Sequence, residues 1–232
     1  MERLLGMEME TNRISECVAL GEWGNGDFFG PLVASALYVN EENDLLLQSL
    51  GLDNCRRFSN DDVLRLASLI KKNSTYSVVP LEPKNYNDLY TLIGSQSRIL
   101  ALAHARAIER VLERGSRTLV FAGQIVDEVL LNSTLLEKGI WINLKRGHES
   151  MEKVAVAAAS ILAHAEYIRW IIEYSEKSGF YLPKGANSHS VIDKGISTIA
   201  HFGYARLQEL AKLHFKTFRE IQRNYEDWDY GL

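Results

Sequence analysis

Cysteine is nearly absent from this 232-residue chain, which holds only Cys17 and Cys55. Two scattered thiols build neither a disulfide framework nor a zinc cluster, so both read as reduced and redox chemistry is not indicated. A surplus of positive charge is lacking as well: 26 Lys and Arg stand against 30 Asp and Glu, a formal net charge of -4. No global field draws a polyanion in, and any nucleic-acid contact has to rest on local basic patches. The sequence reads as having no run of about 18 apolar residues to cross a bilayer. Residues 1–12 carry acidic side chains where a secretory leader is basic and then apolar. The expectation is a cytoplasmic protein with no membrane partner. Internal repeats and low-complexity tracts are missing too, which points to one compact unit.

What is present suits an α/β fold. Hydrophobic residues make up 46% of the chain, enough for a full core. Residues 14–20 and 31–39 are apolar, β-branched-rich runs on either side of a Gly-rich segment, which predicts a hairpin of two strands around a tight turn. Helices are predicted over 43–50 and 61–72, the second with Ser59 and Asn60 as N-cap candidates. A third strand, 75–81, is closed by Pro83, and helices follow over 85–93 and 97–113, with Gly115 as a C-cap. Short apolar strands at 118–122 and 140–144, joined by a helix over 126–137, read as parallel and buried. An Ala-rich helix over 150–176 is small-sided enough to approach a sheet closely. Helices over 190–201 and 204–212 finish the fold, and 225–232 reads as a tail. The resulting sheet is mixed, with three antiparallel strands followed by two reached through helical crossovers.

The string Gly21-Glu22-Trp23-Gly24-Asn25-Gly26-Asp27-Phe28-Phe29-Gly30-Pro31 resembles the opening motif of type 2 ribonucleases H, Asp-Glu-x-Gly-x-Gly, three residues, then Gly-Pro. Its Gly-Asp-aromatic-Phe-Gly-Pro wording is similar to ribonuclease HIII. In family order, the stretch from Asp53 to Ser59 resembles the Asp-Ser-Lys-Lys-Leu-Ser segment, and Tyr86 to Tyr90 with Leu100 to His104 resembles the HIII helix pair. The Val154 to Ala163 block, Leu182-Pro183-Lys184-Gly185-Ala186 and Ala211-Lys212-Leu213-His214-Phe215 resemble the closing helices. The resemblance implies a ribonuclease H-like mixed five-stranded sheet flanked by helices, with a C-terminal helical extension. Its domain would cover 13–220, with 221–232 a C-terminal tail and no N-terminal substrate-binding domain.

Such proteins cleave the RNA strand of an RNA·DNA hybrid with two Mg²⁺ or Mn²⁺ ions about 4 Å apart, which clamp the attacking and leaving oxygens. Hard cations want oxygen ligands, and the family supplies four carboxylates. Carried over residue by residue, the first becomes Gly21, the second survives as Glu22, and the third falls at Gly123. The fourth is Glu149, or Ser150 by an ungapped count from Ser160. Asp127 offers a replacement for the third ligand. The resemblance also places Gly24, Asn25 and Gly26 where backbone amides read ribose 2′-hydroxyls, the two glycines keeping that approach open. It places Arg56, Arg57, Lys145 (with Arg146) and Lys184 in backbone-contacting stretches.

Plainer readings stand beside these. The Gly-rich segment is equally a hairpin turn, Glu22 a solvated turn carboxylate, and Glu149 a first-turn charge favoured by a helix dipole. The paired cations read equally as solvated surface, His148 as a surface imidazole, and His104, His164 and His214 as helical residues satisfying local hydrogen bonds. Three functions remain in play. One is a homologue that has lost two-metal hydrolysis, needs no metal, and binds hybrid, other nucleic acid or a protein partner. Another is an active ribonuclease H using Glu22, Glu149 and Asp127 with Mg or Mn. The last is a protein-interaction scaffold without nucleic-acid affinity.

Overall fold

The computed structural model describes residues 16–52, 57–112, 117–123, 127–146 and 150–229. Strands β1 (Glu16–Trp23) and β2 (Leu32–Asn40) pair antiparallel, and helices α1 (Glu41–Ser49) and α2 (Asn60–Asn73) follow. Next come β3 (Tyr76–Leu81), α3 (Pro83–Ile93), α4 (Gln96–Glu109), β4 (Arg117–Ala122), α5 (Glu128–Glu137) and β5 (Trp141–Arg146). Helices α6 (Ser150–Ser178), α7 (His189–Leu210) and α8 (Lys216–Asp229) close the described chain. The five-stranded sheet has the order β3-β2-β1-β4-β5, with β3 and β2 antiparallel to their neighbours and β4 and β5 parallel to β1. This is the predicted mixed sheet.

Local sequence accounts for most boundaries. Ser59 caps α2 by accepting from the Asp62 N–H, and Val63, Leu66, Ala67 and Ile70 form its buried stripe. Pro83 opens α3 at its first turn rather than closing β3, since the N–H that proline lacks would have no helical partner there in any case.

Several expectations are corrected. Strand β1 runs on through Gly21, Glu22 and Trp23, so the link to β2 is the longer segment 24–31 and not a tight turn. Helix α4 ends at Glu109 with Arg110 as its cap, and Gly115 lies outside the described residues. Helix α7 joins the two predicted helices across a kink at Gly203, whose φ of 78° and ψ of 171° are non-helical. A further helix, α8, covers 216–229, where the tail was expected to begin at Tyr225. Residues Glu152–Ser178 of α6 are also long and apolar enough, by length and composition only, to cross a membrane, contrary to the reading that no such run exists. Here the helix is mostly buried within the fold.

Alternation along β1 sends successive side chains to opposite faces. Cys17 and Ala19 pack with Leu37, Val39 and the small α6 residues Ala155, Ala158 and Ala159. Val18 and Leu20 pack with Ala101, Ala105 and Ile108 of α4 and Leu131 and Leu135 of α5. A separate core joins Phe28 and Phe29 to Tyr167, Leu182, Val191, Leu207 and Ile221, seating α7 and α8 against the second half of α6.

Candidate active site

Strands β1 and β4 run parallel, with Leu20 beside Ala122, so Gly21, Glu22 and Gly123 sit at their carboxyl ends. That end of a parallel sheet is where α/β proteins place their ligands. Glu22 continues the Val18–Leu20 face. Its side chain is only 9% exposed, and its Oε2 lies 3.5 Å from Nε2 of the fully buried His104 on α4. Neither ring nitrogen of His104 makes a hydrogen bond. The contact is therefore one of proximity, too long for a well-formed bond.

Gly21 faces the other way, onto α6. A Cβ there would stand 2.3 Å from the Ala159 carbonyl carbon and 2.3 Å from the Ser160 nitrogen. Gly123 is exposed, and among the described residues a Cβ would meet Cγ1 of Val156 at 3.1 Å. Asp127 is the N-cap of α5, its Oδ1 accepting from the Leu130 N–H at 3.0 Å, and its carboxylate is engaged in that role. Glu149 and His148 lie outside the described residues. Among the described residues, no three His, Cys, Asp or Glu side chains are grouped so as to hold a metal ion. The described donors, Glu22 beside an imidazole and a capping Asp127, do not by themselves fit a pair of hard cations.

The loop after β1 is firmly anchored. Gly24 has φ 80°, and a Cβ would lie 2.1 Å from the Pro31 carbonyl oxygen. Its glycine is therefore a requirement of the turn, which corrects the idea that it keeps a ligand's approach open. Gly26 is exposed, and a Cβ added there would meet nothing within 4 Å among the described residues. Both the carbonyl oxygen and Oδ1 of Asn25 accept from Nε2 of Gln96, at 2.7 and 2.6 Å. Asp27 Oδ1 accepts from the Gly185 N–H at 2.7 Å, and the Phe28 N–H donates to the Gly185 carbonyl at 2.9 Å.

Lys184 is exposed and donates to Asn60 Oδ1 at 3.2 Å, which sets it beside the start of α2, close in sequence to the exposed Arg57. Lys145 is exposed on the edge strand β5. Arg56 lies outside the described residues.

Sequence reading missed several neighbours of this region. The Trp23 ring stacks on His164 with centroids 3.5 Å apart and planes 11° apart. Burial, aided by the Lys184 charge, pushes the His164 pKa down to about 4, and its Nε2 has no partner. His214 lies in a turn rather than a helix, and burial with the nearby Lys212 charge likewise lowers it to about 4. For His104 the expectation of satisfied local hydrogen bonds is thus corrected, since neither ring nitrogen has a hydrogen-bond partner among the described residues; Nε2 of His164 and Nδ1 of His214 are also buried without one there. Lys212 is wholly buried and donates to the Gly30 carbonyl at 2.5 Å, burial bringing its pKa to about 7.

The family model described as Ribonuclease HII matches residues 20–218. This chain belongs to the ribonuclease HII family. Among its members the chain sides with ribonuclease HIII. The Ribonuclease HIII of Protochlamydia amoebophila is 33% identical over 204 residues, covering 88% of this chain and 67% of that protein. A glutamine-to-alanine mutant of Bst ribonuclease HIII superposes with a TM-score of 0.79 at 24% identity, covering 92% of this chain and 71% of the other. Bst ribonuclease HIII in complex with Mn²⁺ gives 0.77 at 23% identity, covering 90% and 70%. These structures share the ribonuclease H-like fold described above, and the chain spans roughly two thirds of the length of its ribonuclease HIII relatives.

Proposed function

We propose that this chain is a ribonuclease HIII homologue that no longer performs two-metal hydrolysis and instead holds nucleic acid, an RNA·DNA hybrid first among ligands. The observation that carries the reading is the dispersal of the acidic groups: Glu22 is turned to His104, Asp127 caps α5, and Gly21 and Gly123 offer no oxygen. Two divalent ions about 4 Å apart repel one another strongly, and the carboxylates found among the described residues, dispersed as they are, do not offset that repulsion. Mg²⁺ gives up its water reluctantly and would stay hydrated at such a site.

Binding has a simpler requirement than catalysis. Gly26 leaves backbone accessible at the head of a loop fixed by Asn25, Asp27 and Gly185. Exposed Lys184, Arg57 and Lys145 supply the phosphate contacts. With a net charge of -4 behind them, such contacts give an affinity that falls steeply with salt.

The test is a labelled RNA·DNA hybrid incubated with purified chain in Mg²⁺ or Mn²⁺, alongside a gel-shift series in rising salt. The expected result is a salt-sensitive shift and intact RNA. Cleavage abolished by Glu22→Ala would establish an active ribonuclease H instead. Absence of any shift at low salt would favour the protein-interaction scaffold.

A further inference from the structure

The first-ligand position is filled by main chain as well as stripped of its carboxylate. The three atoms that a Cβ on Gly21 would strike are the carbonyl carbon of Ala159, the nitrogen of Ser160 and the carbonyl oxygen of Ala159, at 2.3, 2.3 and 2.6 Å. All three belong to peptide groups in the middle of the 29-residue helix α6. A side-chain end can rotate out of such a clash, whereas a hydrogen-bonded helical peptide moves only with its helix.

We infer that helix α6 has closed onto β1 at Gly21 in a contact that excludes any side chain there, so the metal site cannot be rebuilt by returning carboxylates to Gly21 and Gly123. The inference rests on the proposed loss of two-metal hydrolysis and explains what stands in place of the site.

Ordinary van der Waals contact begins at 3.4 Å, so α6 would have to withdraw by about 1 Å to admit even an alanine. Two features oppose that movement. Ser35, the partner of Gly21 across the β1–β2 ladder, is fully buried and directs Oγ at the Ala159 carbonyl, 2.7 Å away, and at the Gly21 carbonyl, 3.2 Å away. One hydroxyl thereby ties strand and helix together at the point of nearest approach. The small side chains on both sides of the contact, Cys17 and Ala19 on β1 and Ala158 and Ala159 on α6, are fully buried. A close-packed interior does not absorb a gap of that size without losing contacts along the whole interface.

The clash involves backbone, so trimming α6 does not relieve it: Ala159→Gly would leave the offending carbonyl and nitrogen in place. Gly123 is the contrasting case. It is exposed, and among the described residues the neighbour of a Cβ there is the Cγ1 tip of Val156 at 3.1 Å, a side-chain end and not backbone. One lost ligand position remains open to an acid, and the other does not.

The experiment compares the wild-type chain with Gly21→Ala, Gly21→Asp, Gly123→Asp and the Gly21→Asp/Gly123→Asp pair, by thermal melting and by Mn²⁺ titration calorimetry. Gly123→Asp should melt within about 2 °C of wild type, as an exposed substitution. Gly21→Ala should melt about 10 °C lower, the cost of overpacking a tight interface. Gly21→Asp should be worse or fail to fold, and no variant should take up Mn²⁺ at millimolar concentration. Ser35→Ala should lower the melting temperature by a few degrees through loss of the tie. A Gly21→Ala protein that melts with wild type, or a paired variant that folds and binds Mn²⁺ with submillimolar affinity, would overturn the inference. Hybrid cleavage by wild type would sink the loss-of-hydrolysis reading, while the Gly21→Ala melt would still decide the contact by itself.

Discussion

The loop 24–31 and the strand tips just before it are neighbours in sequence and space, yet they are built in opposite ways. In the loop, Asn25, Asp27, Phe28 and Gly30 all have their polar groups matched by Gln96, Gly185, Leu210 and Lys212. At the tips, Glu22 meets an imidazole without a hydrogen bond, and Gly21 is pressed against helix backbone. The difference teaches that the proposed binding loop and the proposed place of the lost chemistry rest on separate supports. Hydrogen bonds among backbone groups hold the first, while the second depends on a few carboxylates converging.

The sharpest way to break that comparison is to untie the loop's far support. Asn87 is buried and donates from Nδ2 to the carbonyls of Gln208 and Ala211, at 3.1 and 2.9 Å, while Oδ1 accepts from the Leu213 N–H at 2.9 Å. Asn87→Ala leaves three main-chain groups without their side-chain partner and should cost about 3 kcal/mol in urea unfolding. A loss under about 1 kcal/mol would show that the loop's order does not depend on this support.

Next in size is a pH effect. Burial lowers Lys212 from 10.5 to about 7 in the folded chain, with the Asp27 charge opposing the shift. Between those values the unfolded chain binds the extra proton, so stability should rise with pH, being complete above 10.5 and lost as pH falls through 7. Melting temperature should therefore climb by several degrees from pH 7 to 9.5. Lys212→Met should flatten that climb, and an unchanged slope in the variant would assign it to another group.

Asp127→Ala separates a capping carboxylate from a ligand. It should lose about 1 kcal/mol of stability with the α5 cap and leave Mn²⁺ titration unaltered. The smallest expected effect lies at the surface. Lys184→Ala should weaken hybrid binding evenly across sequences and reduce the salt slope by about 1. A slope equal to wild type would remove Lys184 from the contact.

Much of the fold was legible because periodicity and punctuation agreed along the chain. The order of strands, the Ser59 cap and the Ala-rich helix all follow from local pattern. Helix α8 was missed although Phe218, Ile221 and Tyr225 stand at helical spacing and lie on the C-terminal core, because the polar residues between them read as a tail. That glycines stand at 21 and 123, where the motif resemblance implies acids, could be read from the sequence. What separates the two glycines, a helix backbone at one and a side-chain tip at the other, is a fact of tertiary approach with no local signature. The Glu22–His104 contact spans two elements distant in sequence and was likewise invisible.

The bonds that fix the loop reach far along the chain: Asp27 and Gly185 are 158 residues apart, and Gly30 and Lys212 are 182 apart. During synthesis the segment carrying Phe28 and Phe29, both wholly covered in the finished protein, waits without its partners until nearly the last helix has emerged. Contacts of such long range form late and slowly. A loop so firmly tied is then among the last parts to acquire its order, and a chain stalled before Lys212 would present two poorly covered phenylalanines to chaperones and proteases.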